Sequence, residues 1–373
     1  MGLRKKGRKI VISGYFGFDN CGDEAILLSM LRCLRQLAPD LRIVVLSNDP
    51  EKTQALYDVK AVNRWKPLAV AWHLLGCRLF LSGGGSLLQD VTSAKSPRYY
   101  LGVLRLARLL ARKTMIYAQG IGPLSREKNR RLTAKVLSQC DMISVRDALS
   151  CQLLKDLGVK KEIWLTCDPV LALSYEDVHQ APAKELLREM GMLDSQGRKT
   201  KPLLLVAARC WGDNRHLPQI GRMLDLQARA GWDVLLVPAH FPDDMAAINQ
   251  IGNAMTERFY CLGQRLTAAQ LLSLTACADK VFSMRLHGLI FAMAMGAPML
   301  ALSYDPKIDG FMEQAGLSEY CLSLADFDWE NADYLLEDLE YLPMTMRQKQ
   351  EKCRQRLQET AWATAKAAIQ MLD

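Results

Sequence analysis

The chain has 373 residues, 50% of them hydrophobic and 24% charged, with 38 Gly and Pro; this excludes collagen-like and largely disordered chains and leaves a globular protein of two to three domains. Its net charge of +8 is unevenly spread: residues 1–180 hold 28 Lys and Arg against 16 Asp and Glu, a balance of +12, and the remainder stands at −4. A first half this basic points to an anionic partner (a phosphorylated substrate, nucleic acid or an anionic membrane leaflet) or to a solvated basic surface.

The opening MGLRKKGRK followed by IVISGYFGF imitates a secretion signal, but it runs into DNCGDE without a small-residue cleavage site and reads as a basic tail before a first core strand. Short β-branched runs then alternate with segments of helical period. Lys9–Ser13, Arg42–Ser47, Arg78–Ser82, Thr114–Ala118, Met142–Val145 and Ile163–Thr166 are expected as strands, with helices at Asp23–Leu37, Pro97–Arg112, Arg126–Gln139 and Asp147–Leu157. After a charged stretch from Tyr175 to Lys201, a second series follows. Its strands are Leu203–Ala207, Val234–Pro238, Lys280–Ser283 and Pro298–Ser303, and its helices Leu217–Ala230, Ala268–Ala276 and Leu286–Met295. The fold class is therefore α/β, with two Rossmann-like doubly wound domains over residues 1–175 and 201–373, a linker at 176–200, and a last helical region Thr345–Leu372, counted with the second domain, that either caps it or crosses back onto the first. The longest apolar stretch, Leu289–Leu302, is too short to span a bilayer. Eleven cysteines, none closer than eleven residues to the next, suit buried thiols in a reducing compartment better than a CxxC pair or a zinc knuckle.

In open α/β sheets ligands sit outside the carboxyl ends of the strands, so the loops after the strands are where chemistry is sought. The first, Gly14-Tyr-Phe-Gly-Phe-Asp-Asn20-Cys-Gly-Asp23-Glu24, leads straight into a helix but is neither GxGxxG nor a Walker loop. Asp23 and Glu24 either cap that helix or face a hydroxyl-bearing ligand as a general base. Ser82-Gly-Gly84-Gly85-Ser-Leu-Leu-Gln-Asp90 carries three consecutive glycines, which suggest a close backbone approach to a ligand. Next comes a helix with Arg98, Arg105, Arg108 and Arg112 beside a leucine face, suited to packing on the sheet or lying on a membrane. Gln119 with its following glycines and Arg146 end the next two strands.

In the second domain Ser283-Met-Arg285-Leu-His287-Gly follows a strand and opens a helix, so guanidinium, imidazole and helix dipole converge on one anion. The loop Ser303–Gly310 brings Lys307 close if its strand neighbours that one, and Arg209 completes a basic rim.

These segments together resemble the polysaccharide pyruvyl transferase family, most closely its cell-wall (CsaB-type) branch. The resemblance rests on GYFGFDNCGDEAIL, LSGGGSLLQD, AQGIGP, SVRD, RLHGLIFAMAMGAP and SYDPKIDGF, which run from Gly14 to Phe311; Asp19-Asn20-Cys21 departs from the pattern. It implies a GT-B-like fold, phosphoenolpyruvate as donor with no further cofactor or metal, and a 4,6-ketal on N-acetylmannosamine of a secondary cell-wall polymer. It also implies roles: donor binding by Arg285, His287, Lys307 and Arg209; acid–base chemistry by His287 with Asp23 or Glu24; acceptor binding by Gly14, Asn20, Gly84, Gly85, Gln119 and Arg146. A lipid-linked acceptor would place the protein in the cytoplasm at the inner membrane face, where the basic helix and the Arg4–Lys9 tail would meet anionic lipid. Two other readings stay open, a glycosyltransferase using a nucleotide sugar and a non-catalytic protein binding a cell-wall glycan or its lipid precursor. A nucleic-acid partner is not expected, because no recognised module is present.

Overall fold

Two parallel sheets carry the fold in the computed structural model, which describes residues 8–91, 93–341 and 344–372. The first comprises β1 (Lys9–Ser13), β2 (Arg42–Ser47), β3 (Lys60–Asn63), β4 (Leu79–Gly83), β5 (Lys113–Gln119), β6 (Met142–Val145) and β7 (Ile163–Leu165), in the order β3-β2-β1-β4-β5-β6-β7. The second comprises β8 (Leu203–Ala207), β9 (Asp233–Leu236), β10 (Tyr260–Cys261), β11 (Lys280–Ser283), β12 (Met299–Ser303) and β13 (Cys321–Ser323), in the order β10-β9-β8-β11-β12-β13. Crossover helices cover both faces of such sheets, so their central strands are apolar without alternation. Ile10, Val11 and Ile12 of β1 are fully buried, and so is the whole of β8. Strand order reverses between β1 and β4 and again between β8 and β11, which makes the carboxyl ends of those pairs the expected ligand crevices.

The chain divides into one unit of Met1–Ala172 with Glu359–Asp373 and another of Leu173–Gln358. The expected linker at 176–200 is instead built into the second unit. Ala181–Glu189 is a helix that buries Ala183, Leu186 and Leu187, and the Ala183 amide donates to Ser273 Oγ at 3.1 Å. Those three positions share one helix face, a pattern that the surrounding charge conceals in the sequence. Of the two courses open to the last helix, Met344–Gln370, the structure takes the second, because its end belongs to the first unit. There Ala361, Ala365 and Ala368 are buried, Trp362 Nε1 donates to the Ala172 carbonyl at 3.1 Å, and Thr364 Oγ1 lies 2.6 Å from Thr166 Oγ1.

Helix Ser96–Leu110 packs Tyr100, Leu101, Leu104 and Ala107 into the core, so its leucine face is structural, while Arg98, Arg105 and Arg108 are exposed. No helix among the described residues is long and apolar enough to cross a membrane. All but the end of the Arg4–Lys9 tail lies outside the described residues. The eleven cysteines are free and five of them are buried.

Candidate functional site

The second sheet's reversal point gathers the predicted cations. β11 ends at Ser283, whose Oγ accepts from the Arg285 amide at 3.0 Å and donates to the Arg285 carbonyl at 2.9 Å. This turn fixes Arg285 as the residue preceding helix Leu286–Met295, with His287 in the first helical turn. Gly288 has no alternative there: a Cβ would stand 2.4 Å from Ser283 Oγ. The Arg285 guanidinium is ion-paired with Asp244, which is 1% exposed and also accepts the His240 amide at 2.8 Å. Asp244 follows β9, so the pair reaches past β8 at the carboxyl ends of the strands. Arg285 Nε is buried and makes no hydrogen bond.

Arg209, two residues beyond β8, donates to Tyr304 Oη at 2.9 Å, and its guanidinium lies 5.1 Å and 5.0 Å from the Trp211 and Tyr304 ring centroids. Tyr304 follows β12, which pairs with β11, so the neighbouring strands that would bring Lys307 near are present. Lys307 itself lies not in a loop but in the first turn of helix Pro306–Gln314, where Asp305 caps its amide at 2.9 Å. Trp211, Tyr304, Asp305 and Asp309 border a cavity of about 410 Å³ beside these residues. Helix N-terminus and guanidinium groups together suit an anionic group, with a flat group accommodated on the Trp211–Tyr304 side.

The first sheet's reversal point is built around a different chemistry. Asn20 caps helix Cys21–Leu37, its Oδ1 accepting from the Gly22 and Asp23 amides at 3.0 and 3.3 Å. Glu24 accepts from the Gly17 amide and the Tyr57 hydroxyl, both at 2.7 Å, so it clamps the loop after β1. Asp23 is different. Burial pushes its carboxyl up to about 7, with Arg146 opposing and Glu24 and Asp168 adding to the rise. Arg146, itself buried, holds Asp168 at 2.6 Å and donates to Ser86 Oγ at 3.2 Å.

The triple glycine is explained by the helix beneath it. Gly84 and Gly85 have φ of 66° and 65°, and a Cβ on them would stand 2.1 Å from Ile26 Cγ2 and from Asp23 Oδ1 respectively. The close approach inferred from sequence is thus to the protein's own helix. Gln119, at the end of β5, is fully buried, and neither its Oε1 nor its Nε2 has a hydrogen-bond partner. A buried amide without partners costs about 1–3 kcal/mol per lost bond and marks a position where a ligand or water completes the bonding.

Two groups escaped the sequence reading. Arg64 follows β3, donates to the Gly14 carbonyl at 2.8 Å, and has Phe18, Trp65, Tyr99 and Tyr100 rings with centroids 4.4–5.2 Å from its guanidinium. Asp244 is the other; a search confined to cations had no reason to find it. Asp90, the last residue of the glycine motif, is a structural knot: against the cost of burial, hydrogen bonds from Ser125, Asn129 and Arg126 hold its carboxyl down to about 2.

The Asp23 shift makes a stability prediction. Because the folded state binds this proton more tightly than the unfolded chain, whose carboxyl releases it near 3.8, the stabilisation is complete below that value and is lost as pH rises through about 7. At about 1.4 kcal/mol per pH unit, urea unfolding of the parent should weaken by a few kcal/mol between about pH 4 and pH 8. Asp23→Asn should remove that slope, and parallel pH curves for parent and variant would contradict the assignment.

Known proteins place this geometry. Residues 20–306 match the family model described as polysaccharide pyruvyl transferase. The amylovoran biosynthesis protein AmsJ of Erwinia amylovora is 20% identical, over 83% of this chain and 87% of its own. Among solved structures, a glycosyltransferase from Rickettsia africae superposes with a TM-score of 0.59 at 13% identity, covering 98% of this chain and 96% of that one. UDP-GlcNAc 2-epimerase from Neisseria meningitidis, bound to UDP-GlcNAc, gives 0.58 at 12% identity over 98% and 99%. At such identities the structural likeness establishes the fold, that of GT-B glycosyltransferases and epimerases.

Proposed function

The chain belongs to the polysaccharide pyruvyl transferase family, and from that premise we propose that it moves the enolpyruvyl group of phosphoenolpyruvate onto a sugar as a cyclic ketal, releasing phosphate. The observation that carries the donor half is the convergence of Arg285, His287 and a helix N-terminus at the β8/β11 reversal, with Arg209 in the loop after β8 and Lys307 in the first turn of helix Pro306–Gln314. Phosphoenolpyruvate bears a carboxylate and a phosphate, and fixed cations at the positions of those charges stabilise the charge that develops on the departing phosphate.

Atoms balance as follows. C3 of the enol gains a proton, one sugar hydroxyl bonds to C2, the C2–O bond to phosphate breaks, and the second hydroxyl closes the ring. Of the two hydroxyl protons, one ends on the new methyl group and one on phosphate. In this reading His287 delivers the proton as general acid and Arg285 and Lys307 neutralise charge. Asp23, with its carboxyl near 7, receives a hydroxyl proton; a base poised near working pH is the efficient one. Glu24 keeps the loop after β1 in shape, which leaves Asp23 as the better base of the two. The unpartnered amide of Gln119 and the Arg146–Ser86 pair would meet acceptor hydroxyls, beside the loops of Gly14, Asn20, Gly84 and Gly85.

For the acceptor we favour N-acetylmannosamine in a secondary cell-wall polymer precursor, carried on a lipid pyrophosphate at the cytoplasmic membrane face. The relative named for amylovoran biosynthesis supports a polysaccharide pathway and leaves the sugar open. Thermal shift tests the donor directly: phosphoenolpyruvate should raise the Tm in proportion to the logarithm of its concentration. A nucleotide sugar that raises it where phosphoenolpyruvate does not would replace this reading with nucleotide-sugar transfer.

A further inference from the structure

A strongly apolar exposed surface of the first unit lies on helix Pro67–Leu74 and the turns that flank it. Its inner face is spent on the core, with Val70 and Leu74 at 2% and 0% exposure. Its outer face is not polar. Leu68 and Trp72, about one turn apart on it, are 86% and 71% exposed, and Trp65 and Leu75, in the turns just before and just after it, are 56% and 57% exposed, which gives the segment a stripe of four large apolar side chains in solvent. The neighbouring helix Ser96–Leu110 extends the surface, since Tyr99 packs on Trp65 with ring centroids 5.0 Å apart. That helix turns Arg105 and Leu109 outward, with Leu109 82% exposed.

The segment that carries the stripe is strongly basic. From Val59 to Arg126 the chain holds eleven Lys and Arg and a single acid, Asp90, which is 4% exposed and consumed by its hydrogen bonds. Lys60, Lys66, Arg105 and Arg112 are exposed, and the Lys9 ammonium donates to the Leu75 carbonyl at 2.9 Å. On the flank, His73 is held below its ordinary pKa by burial and then by Lys60 and Lys9, with no acid offsetting them. Exposed acids stand at the two ends of this segment, Asp58 just before β3 and Glu127 at the start of helix Glu127–Leu137, where it is ion-paired with Arg131. An exposed Trp/Leu stripe within a basic rim is the pattern of a surface that lies in a lipid interface: the rings and leucines enter the headgroup–acyl boundary and the cations meet lipid phosphates.

We infer that the Trp65–Leu68–Trp72–Leu75 stripe docks the protein onto an anionic lipid bilayer as a peripheral contact. None of these four side chains has a part in the transfer reaction, although Trp65 also packs on Arg64, which holds the loop after β1. Docking through this stripe moves the membrane contact from the leucine face of helix Ser96–Leu110, which the core occupies, to the helix before it.

Co-sedimentation of the full chain with vesicles tests this. The protein should pellet with vesicles of phosphatidylethanolamine and phosphatidylglycerol, hardly at all with phosphatidylcholine alone, and less as salt rises. Leu68→Ser/Trp72→Ser, which removes side chains that are mostly in solvent, should lower the partition coefficient roughly tenfold or more. Its Tm, and its phosphate release from phosphoenolpyruvate with a water-soluble acceptor, should remain those of the parent. A parent chain that stays in the supernatant with anionic vesicles overturns the inference, as does a double variant that pellets equally well. A concentration-dependent dimer abolished by the same substitutions, without vesicle binding, would assign the stripe to a second copy of the chain. Loss of phosphate release in the parent would sink the transfer reading and leave vesicle binding untouched.

Discussion

Replacing His287 with Ala is expected to lower phosphate release from phosphoenolpyruvate by about 100- to 10,000-fold, the range that a positioned general acid contributes. The fold should survive it. His287 is partly buried in the first turn of helix Leu286–Met295, its ring centroid 6.1 Å from that of Phe291, so truncation removes only part of a side chain's packing. A loss near 1 kcal/mol would lower the Tm by only about 2–4 °C in a unit of this size. His287→Gln separates two roles, because glutamine can hydrogen-bond a phosphate oxygen but cannot carry a proton to it. If His287 is the acid, Gln and Ala variants should be equally slow while phosphoenolpyruvate still raises the Tm of His287→Gln. A Gln variant with near-parent turnover would reduce the residue to a binding group, and an active Ala variant would remove it from the mechanism.

The second large effect concerns Arg285 and its buried partner. Arg285→Met should cost on two accounts. It removes a guanidinium from the donor anion, worth about 100- to 1,000-fold in kcat/KM for a group aimed at developing charge. It also leaves the Asp244 carboxylate 1% exposed with its cation gone, and breaking one side of a buried pair costs about 3–5 kcal/mol. The double variant Arg285→Met/Asp244→Asn distinguishes these. Asparagine still accepts the His240 amide but carries no charge, so most of the lost stability should return while activity stays as low as in the single variant. Recovery of activity together with stability would show that Arg285 serves the fold alone. Failure of the double variant to regain stability would show that the ion pair is not the source of the loss.

How far the sequence carried the fold depends on burial. Interior strands such as β1, β8 and β11 are covered on both faces, so they appear as short apolar runs bounded by turns, and their limits follow directly. The strands that escaped, Lys60–Asn63, Tyr260–Cys261 and Cys321–Ser323, all lie at sheet edges, where two to four residues paired on one side carry too little apolar pattern to register. Missing β3 also hid Arg64, because a strand that is not seen has no following loop to inspect. The start of helix Pro306–Gln314 looks like loop in the sequence because proline, lysine, aspartate and glycine crowd its first turns, though proline at a helix start is favourable.

The donor residues were legible for a specific reason. The apolar segment from Leu289 to Met295, closed by Gly296 in the left-handed region at φ 73°, defines its helix, and Arg285 and His287 must then stand at its start. The first unit was less readable, since glycines and acids there serve the fold as readily as a ligand. Gly84 and Gly85 make room for Ile26 and Asp23, Asn20 caps a helix and Glu24 clamps a loop. Burial raises both carboxyls, and only three-dimensional structure shows that Glu24 is engaged by Tyr57 and Gly17 while Asp23 stands near 7 beside Arg146.

The central claim is tested most directly by measuring inorganic phosphate released from phosphoenolpyruvate against a panel of acceptors containing N-acetylmannosamine and galactose. The account predicts acceptor-dependent release, matched mole for mole by a ketal-linked pyruvate on one sugar of the panel and lost in His287→Ala. Release that ignores the acceptor, or a nucleotide sugar consumed in place of phosphoenolpyruvate, would contradict it.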